Sequence, residues 1–234
     1  MNSNLYLKTF FSIEVDKLSL CVFDGIKNKI FEKKILINKN IKKNELEELY
    51  EKFLGVNILK VEKKIHRFIN EIDLIIDDSN FLLIQASIKK DGRGDKINRA
   101  DLNHILFDLK QQIKENNPDK TITYIKINNF MLNKKITSTL EDEFECDELC
   151  LDVDFVCLPN HIKKEYSNKI KKYQIRIGQI FAADYLSKHY KKNGEDVSQT
   201  AARLKYDNDE NEVHIIKKKS EKQGFFERFF RFFN

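Results

Sequence analysis

Long apolar runs are missing from this sequence. No stretch approaches 18 uncharged apolar residues, and residues 1–8 have no apolar core of the length that a signal peptide needs. Because a bilayer-spanning helix needs about 20 consecutive apolar residues, we expect a chain that is neither secreted nor transmembrane.

Metal-binding and catalytic patterns are also missing. The four cysteines, Cys21, Cys146, Cys150 and Cys157, form no CxxC pair, and no two histidines stand at ligand spacing beside them. We therefore expect no metal site, and we interpret the cysteines as buried free thiols that suit a reducing cytosol. Since no paired carboxylates and no Ser/His or Cys/His arrangement indicate catalysis, we predict that the protein is not an enzyme and holds no cofactor.

A basic stripe on the folded body is the third absence. Charged residues make up 34% of the chain and its formal net charge is +5. Residues 217–234 contain six basic residues and two glutamates, so this segment alone carries four of the five net charges. The remaining body is nearly neutral, and we predict no nucleic acid among its partners.

The patterns that are present predict alternating strands and helices, which is an α/β (α+β) fold. The predicted strands cover residues 5–14, 18–23, 29–37, 72–76, 81–88, 121–127, 131–136, 148–158 and 175–180. The predicted helices cover residues 42–54, a second stretch from Val61 to Ile69, 98–116, 159–173, 182–190 and 199–204. Asn98 is the expected N-cap of the helix at 98–116, whose apolar stripe should pack on a small antiparallel sheet. We interpret the glycine-containing loop at 91–95 as a flexible hairpin tip and not as a phosphate loop.

The C-terminal segment has the sharpest pattern in the sequence. At about 100° per residue, its six phenylalanines fall on one face of a helix, and its charged residues occupy the opposite arc. Burying a third of each phenylalanine in a bilayer gives ~3 to 6 kcal/mol, and each nearby basic residue adds about 1 kcal/mol on anionic lipid. The alternative is a helix that docks on its own domain. The predicted membrane-binding residues are Phe225, Phe226, Phe229, Phe230, Phe232, Phe233, Lys217, Lys218, Lys219, Lys222, Arg228 and Arg231.

Residues 96–101, followed by an amphipathic helix, and then 121–125, 129–133 and 151–156 occur in an order that resembles the SHS2 insert of the actin-like cell-division protein FtsA. Residues 169–183 look like the return of the chain to the actin-like core. The segment 198–206, the charged linker and the Phe-rich tail are similar to the end of that family's chain.

The departures from the FtsA pattern bear on mechanism. The family's first strand turn carries Asp-x-Gly-Thr/Ser, but the corresponding residues here are Glu14-Val15-Asp16-Lys17-Leu18. Asp16 stands at the position of the family's glycine, so it adds a side chain and a negative charge at the place where the family's turn binds phosphate. The second phosphate loop and the adenosine region have no counterpart, so the resemblance implies an FtsA-type chain without its second actin-like half, and we expect no ATP binding.

These observations predict a domain organisation. We expect a partial actin-like subdomain at 1–70, an SHS2-like insert at 71–180, return helices at 181–206, a charged linker at 207–223 and an amphipathic membrane-targeting helix at 224–234.

The leading functional hypothesis is a non-catalytic divisome adaptor or scaffold, peripheral on the cytoplasmic face of the cell membrane. Its expected partners are anionic lipid and divisome proteins, including FtsZ or other FtsA-like chains. The alternatives are an actin-like scaffold of a pilus or secretion assembly, and a degenerate ATP-binding protein.

Overall fold

The computed structural model describes residues 7–25, 27–38, 41–92, 94, 96–137, 143–206 and 212–213. Its elements in chain order are β1 (Lys8–Ile13), β2 (Lys17–Phe23), β3 (Lys29–Leu36), α1 (Lys43–Ile65), β4 (Glu71–Ile76), β5 (Leu82–Asp91), β6 (Lys96–Asn98), α2 (Arg99–Asn116), β7 (Lys120–Leu132), β8 (Lys135–Thr137), β9 (Glu143–Glu145), β10 (Glu148–Pro159), α3 (Asn160–Lys171), β11 (Arg176–Ala182), α4 (Ala183–His189), α5 (Val197–Tyr206) and β12 (Glu212–Val213). The predicted α/β class is confirmed.

The chain divides into two compact units. Among the described residues, unit 1 comprises those within 7–79 and 161–206, and unit 2 comprises those within 80–160 together with Glu212–Val213. The insert predicted at 71–180 is therefore wider than unit 2, because β4, nearly all of α3 and β11 belong to unit 1.

Unit 1 contains a five-stranded mixed sheet in the order β11-β4-β1-β2-β3. The pairs β1–β2 and β2–β3 are antiparallel, as the predicted meander requires, whereas β4 is parallel to both β1 and β11. The parallel strands are almost continuously buried, which is typical of a sheet covered on both faces.

Helices cover both faces of the unit 1 sheet, as two neighbouring residues of β1 show. The ring of Phe11 stacks on Phe53 of α1 at 6.1 Å between centroids. The hydroxyl of Ser12, which points to the opposite face, lies 2.9 Å from that of Ser198 in α5. Consequently α1 packs on one face of the sheet and α5 on the other.

Unit 2 is an antiparallel sheet in the order β12-β7-β10-β5, with β8 also paired to β7. The stripe predicted for α2, formed by Leu102, Ile105, Leu106 and Leu109, is buried in one cluster with the inward residues of β7 and β10. The prediction of a helix packed on a small antiparallel sheet is therefore confirmed, and α2 begins directly after Asn98.

Three local predictions are wrong. The two helices expected within 42–69 are one, because Phe53, Leu54, Ile58 and Val61 form an uninterrupted buried stripe across the intervening Gly55. The strand expected at 131–136 contains a hairpin turn, since Asn133 and Lys134 have φ angles of 48° and 69° between β7 and β8.

The glycine loop at 91–95 is not a hairpin tip either. The ladder of β5 with β10 continues as that of β6 with β9, and the glycines lie in a bulge between the two ladders. The N–H of Gly92 donates to Asp147 O at 2.8 Å, and a Cβ on Gly92 would lie 2.1 Å from Cys146 O. Only glycine permits this close backbone approach.

Candidate functional site

The carboxyl ends of the three parallel strands of unit 1 form one edge of its sheet. Ile13 of β1 and Ala182 of β11 are both in register with Ile76 of β4. We call this the carboxyl edge: the turn at residues 14–17, Asp77 and Asp78 after β4, and the start of α4. In open α/β sheets, ligands bind outside the carboxyl ends of the strands, so this edge is the candidate site.

The turn at residues 14–17 is closed by its own backbone. The N–H of Glu14 donates to Lys17 O at 3.0 Å, and the N–H of Ile37 donates to Asp16 O at 2.7 Å. None of the four residues has a positive φ angle, so the turn is formed without a glycine. The sequence departure at Asp16 is thus accommodated by an ordinary tight turn.

Acidic side chains dominate the carboxyl edge. The ammonium group of Lys17 lies 2.9 Å from the Glu14 carboxylate. Partial burial of Lys17 acts to lower its pKa. The hydrogen bond to Glu14 and the nearby negative charges outweigh this effect, so the pKa of Lys17 is raised. The N–H of Asp77 donates to Ile13 O at 2.8 Å, which sets a further carboxylate at the end of β1. A negative potential at this edge disfavours an anionic ligand.

Helix α5 fills the sheet face immediately behind this turn. Ser12 is fully buried against Ser198, and Thr200, Ala201 and Ala202 of the same helix are also buried. The start of α5 is a reciprocal cap: the N–H of Gln199 donates to the Asp196 carboxylate at 2.8 Å, and the N–H of Asp196 donates to Gln199 Oε1 at 2.9 Å. The helix predicted at 199–204 therefore begins at Val197, and the Asp196/Gln199 spacing was the signal that could have located its start.

The cap is also tied to the edge strand of the sheet. Lys29 of β3 lies 2.6 Å from the Asp196 carboxylate. Burial of Asp196 acts to raise its pKa. The hydrogen bonds from Lys29 and from the helix N–H groups outweigh this effect, so the pKa of Asp196 is lowered. The ion pair therefore fixes the start of α5 across the sheet.

A buried ion pair fixes the other end of α5. Lys205 pairs with Asp73 of β4, a side chain that is only 2% exposed, and the same Asp73 oxygen accepts the N–H of Gln179 at 2.8 Å. A Cβ on Gly178 would lie 2.4 Å from that oxygen, so glycine leaves the space that the carboxylate occupies. Sequence reasoning missed this pair, because no local pattern links residues 132 positions apart.

No activated nucleophile is found among the thiols. Burial raises the pKa of Cys21 and of Cys157 to about 11. Burial raises the pKa of Cys146 and Cys150 as well, and nearby carboxylates act in the same direction. All four cysteines are free, and Cys21, Cys146 and Cys157 are buried as predicted, but the prediction is wrong for Cys150, which is only partly buried. Within the described ranges, no three His, Cys, Asp or Glu side chains are arranged to hold a metal ion.

The predicted membrane-binding residues, Lys217 to Phe233, lie outside the described residues. Part of the predicted linker at 207–223 is a strand, since Glu212 and Val213 pair with Lys126 and Ile125 of β7. The backbone groups of these two residues thus pair with the edge of β7, whereas the prediction expected an unpaired linker here. In the part of the chain that the structure describes, no helix is long and apolar enough to cross a membrane.

Comparisons with known proteins find similar solved structures but do not assign the chain to a family. No protein-family model and no curated protein matches the sequence. The chain is similar to a PilM-PilN type IV pilus biogenesis complex, with 7% identity and a TM-score of 0.45, over 76% of this chain and 48% of that one.

Two further solved structures are similar to the chain. One is the cytoplasmic domain of EpsL, an inner membrane component of the type II secretion system of Vibrio cholerae, with 12% identity, a TM-score of 0.35 and coverage of 77% of this chain and 58% of that one. The other is a Bacteroides thetaiotaomicron protein of unknown function with an actin-like ATPase fold, with 11% identity, a TM-score of 0.30 and coverage of 77% and 53%.

The chain thus spans between 48% and 58% of the length of these three neighbours. An actin-like fold, which the resemblance to FtsA implies, is the fold given for the Bacteroides protein. None of the three is described as FtsA.

Proposed function

We propose that this chain is a non-catalytic scaffold protein of an assembly at the cytoplasmic face of a membrane, built on part of an actin-like core. The observation that carries the proposal is the carboxyl edge of unit 1. At the position where an actin-like ATPase handles phosphate, this chain has a self-closed acidic turn with α5 packed directly behind it.

The electrostatics of this edge oppose nucleotide binding. A triphosphate placed there would meet the carboxylates of Glu14 and Asp16, while Lys17, the cation of the same turn, is already paired with Glu14. Recruiting Mg²⁺ would not replace the missing donors, because phosphate binding also uses backbone N–H groups of a glycine-rich turn. These features support the proposal that the chain acts by binding other molecules and not by hydrolysing ATP.

The proposal assigns the membrane contact to the tail. The six phenylalanines of residues 224–234 would enter the interface, and the basic residues from Lys217 to Arg231 would meet anionic headgroups. Unit 2, with its sheet covered by α2, would supply a surface for protein partners. We expect deletion of residues 224–234 to abolish binding to anionic vesicles. If the truncated chain still sediments with the vesicles, the assignment is wrong.

For the identity of the assembly, we favour a pilus or secretion system over the divisome. Two of the neighbours are named as components of such systems, and no neighbour named above is a cell-division protein. A divisome adaptor that binds FtsZ remains the second candidate, supported by the order of FtsA-like segments in the sequence. Co-sedimentation with FtsZ polymers separates the two: we expect no binding, and saturable binding would favour the divisome.

Calorimetric titration with ATP and Mg²⁺ tests the non-catalytic proposal. We expect no heat of binding and no shift in melting temperature at millimolar ATP. The double variant Asp16→Gly with Lys17→Thr restores the glycine and the threonine of the family's turn and serves as the matched comparison. A submillimolar dissociation constant for the unaltered chain would overturn the proposal.

A further inference from the structure

In the described part of the chain, β5 is an outermost strand of the unit 2 sheet. β5 pairs with β10 along its whole length, and no described residue pairs with its other edge. Leu82 and Leu83 at its start are 37% and 40% exposed. A ten-residue edge strand presents a row of N–H and C=O groups that can pair with another strand.

The edge strand of unit 1 shows how such an edge is normally protected. β3 is also outermost in its sheet, but it carries the charged residues Lys29, Glu32, Lys33 and Lys34. Charged side chains on an edge strand prevent pairing with other chains. The stretch from Leu82 to Ile88 in β5 contains no charged residue, so this protection is absent there.

From this contrast we propose that β5 is an interface at which two copies of the chain pair edge to edge. Antiparallel pairing about a two-fold axis at Gln85 places the uncharged stretch of one copy directly against that of the other. On the side covered by α2, Leu82 meets Ile88 and Ile84 meets Ala86 of the second copy. On the opposite side, Leu83 meets Ser87 of the second copy.

Apolar packing and charge placement both fit this pairing. Ile84, Ala86 and Ile88 already pack against the α2 cluster, so a second copy extends the existing core across the joined sheet. Lys89 and Lys90 fall opposite Phe81 and Asn80, so no like charges face each other. Lys89 is already 2.5 Å from Glu148 on the β10 side. An edge complementary to itself forms a closed two-fold dimer.

Light scattering on the full chain across a range of concentrations tests the interface. We expect a reversible dimer of about twice the monomer mass, and at least a tenfold weaker dimer for Leu83→Lys, because the new charge lies diagonally across from Lys89 of the second copy. The matched control is Leu36→Lys on the edge strand β3, where an exposed leucine is also replaced. We expect this control to leave the dimer unchanged.

Other outcomes overturn the proposal. A chain that stays monomeric at all concentrations has no such dimer. A dimer that survives Leu83→Lys arises elsewhere, for example from the Phe-rich tail.

Cysteine substitution tests the pairing register. Gln85→Cys places two thiols opposite each other, at the ~5 Å Cα separation that a disulfide accepts, and we expect a covalent dimer on mild oxidation. Ser87→Cys, on the same exposed side of β5, separates the thiols by about 14 Å, and we expect it to remain monomeric in a non-reducing gel. Equal cross-linking of both variants would contradict ordered pairing about Gln85.

Discussion

The two sheets of this molecule bury their polar groups in different ways. In unit 1, helices cover both faces, and the polar groups between helix and sheet are joined by long-range contacts such as Ser12–Ser198 and Asp73–Lys205. In unit 2, α2 covers one face, and on the other face the exposed Ser87 donates across the strands to Asp152 at 2.5 Å. On that same face, Asp154 is only 1% exposed and accepts a hydrogen bond from Gln85 at 3.1 Å. The useful comparison is therefore between polar contacts that are shielded from solvent, such as Asp73–Lys205, and exposed ones such as Ser87–Asp152, and we expect the shielded contacts to contribute more to stability.

The largest expected effect is on the apolar core of unit 2. Phe155 of β10 is fully buried in the α2 cluster, so Phe155→Ala leaves a cavity and should lower the free energy of unfolding by about 3 to 5 kcal/mol. Hydrogen exchange should show the loss of protection in β7, β10 and α2. Equal loss in β1 and β4 would mean that the two cores are not separable.

Next in size is the buried ion pair of unit 1. Lys205→Met leaves the Asp73 carboxylate buried without its cation, and we expect a loss of about 3 kcal/mol in chemical denaturation. The double variant Asp73→Leu with Lys205→Met removes both charges and should recover at least half of the loss. If Lys205→Met lowers the free energy of unfolding by less than about 0.5 kcal/mol, the ion pair does not hold α5 on the sheet.

A smaller effect is expected at the start of α5. Asp196→Ala removes both the helix cap and the partner of Lys29, and should cost about 1 to 2 kcal/mol. Because the pKa of Asp196 is lowered in the folded chain, its contribution is fully present above its ordinary pKa of about 4 and is lost as the pH falls through the folded value. The stability difference between the two chains should therefore shrink below about pH 4, and a constant difference would argue against the ion pair.

The smallest effect is expected at the exposed Ser87–Asp152 pair of unit 2. Ser87→Ala removes a hydrogen bond to Asp152 that solvent can replace, so the change in unfolding free energy should stay within about 0.5 kcal/mol. A loss comparable to that of Lys205→Met would erase the distinction between the shielded and the exposed polar contacts.

Local patterns determined how much of this structure was predictable. The α2 stripe from Leu102 to Leu109 and the meander of β1 to β3 are periodic over short distances, so their types and approximate bounds follow from the sequence. The contacts of Asp73 with Lys205 and of Ser12 with Ser198 join residues from distant parts of the chain, and no periodicity marks them.

The candidate site divides in the same way. Asp16 in place of glycine was readable from the sequence, but the closure of the turn and the position of α5 behind it depend on tertiary packing. The sequence predicted two helices, at 42–54 and from Val61 to Ile69, but the structure has one helix across Gly55. Glycine is a weak helix former, and the buried residues on both sides of Gly55 override that preference.

Flotation of the full chain with anionic vesicles, with and without ATP and Mg²⁺, tests the central claim of a membrane-docked scaffold that uses no nucleotide. The account predicts that the chain floats equally in both conditions and that Phe229→Asp with Phe230→Asp releases it. High salt should weaken the binding only in part, because the phenylalanine contribution is not screened. A chain that ignores the vesicles, or one whose binding depends on ATP, would contradict the account.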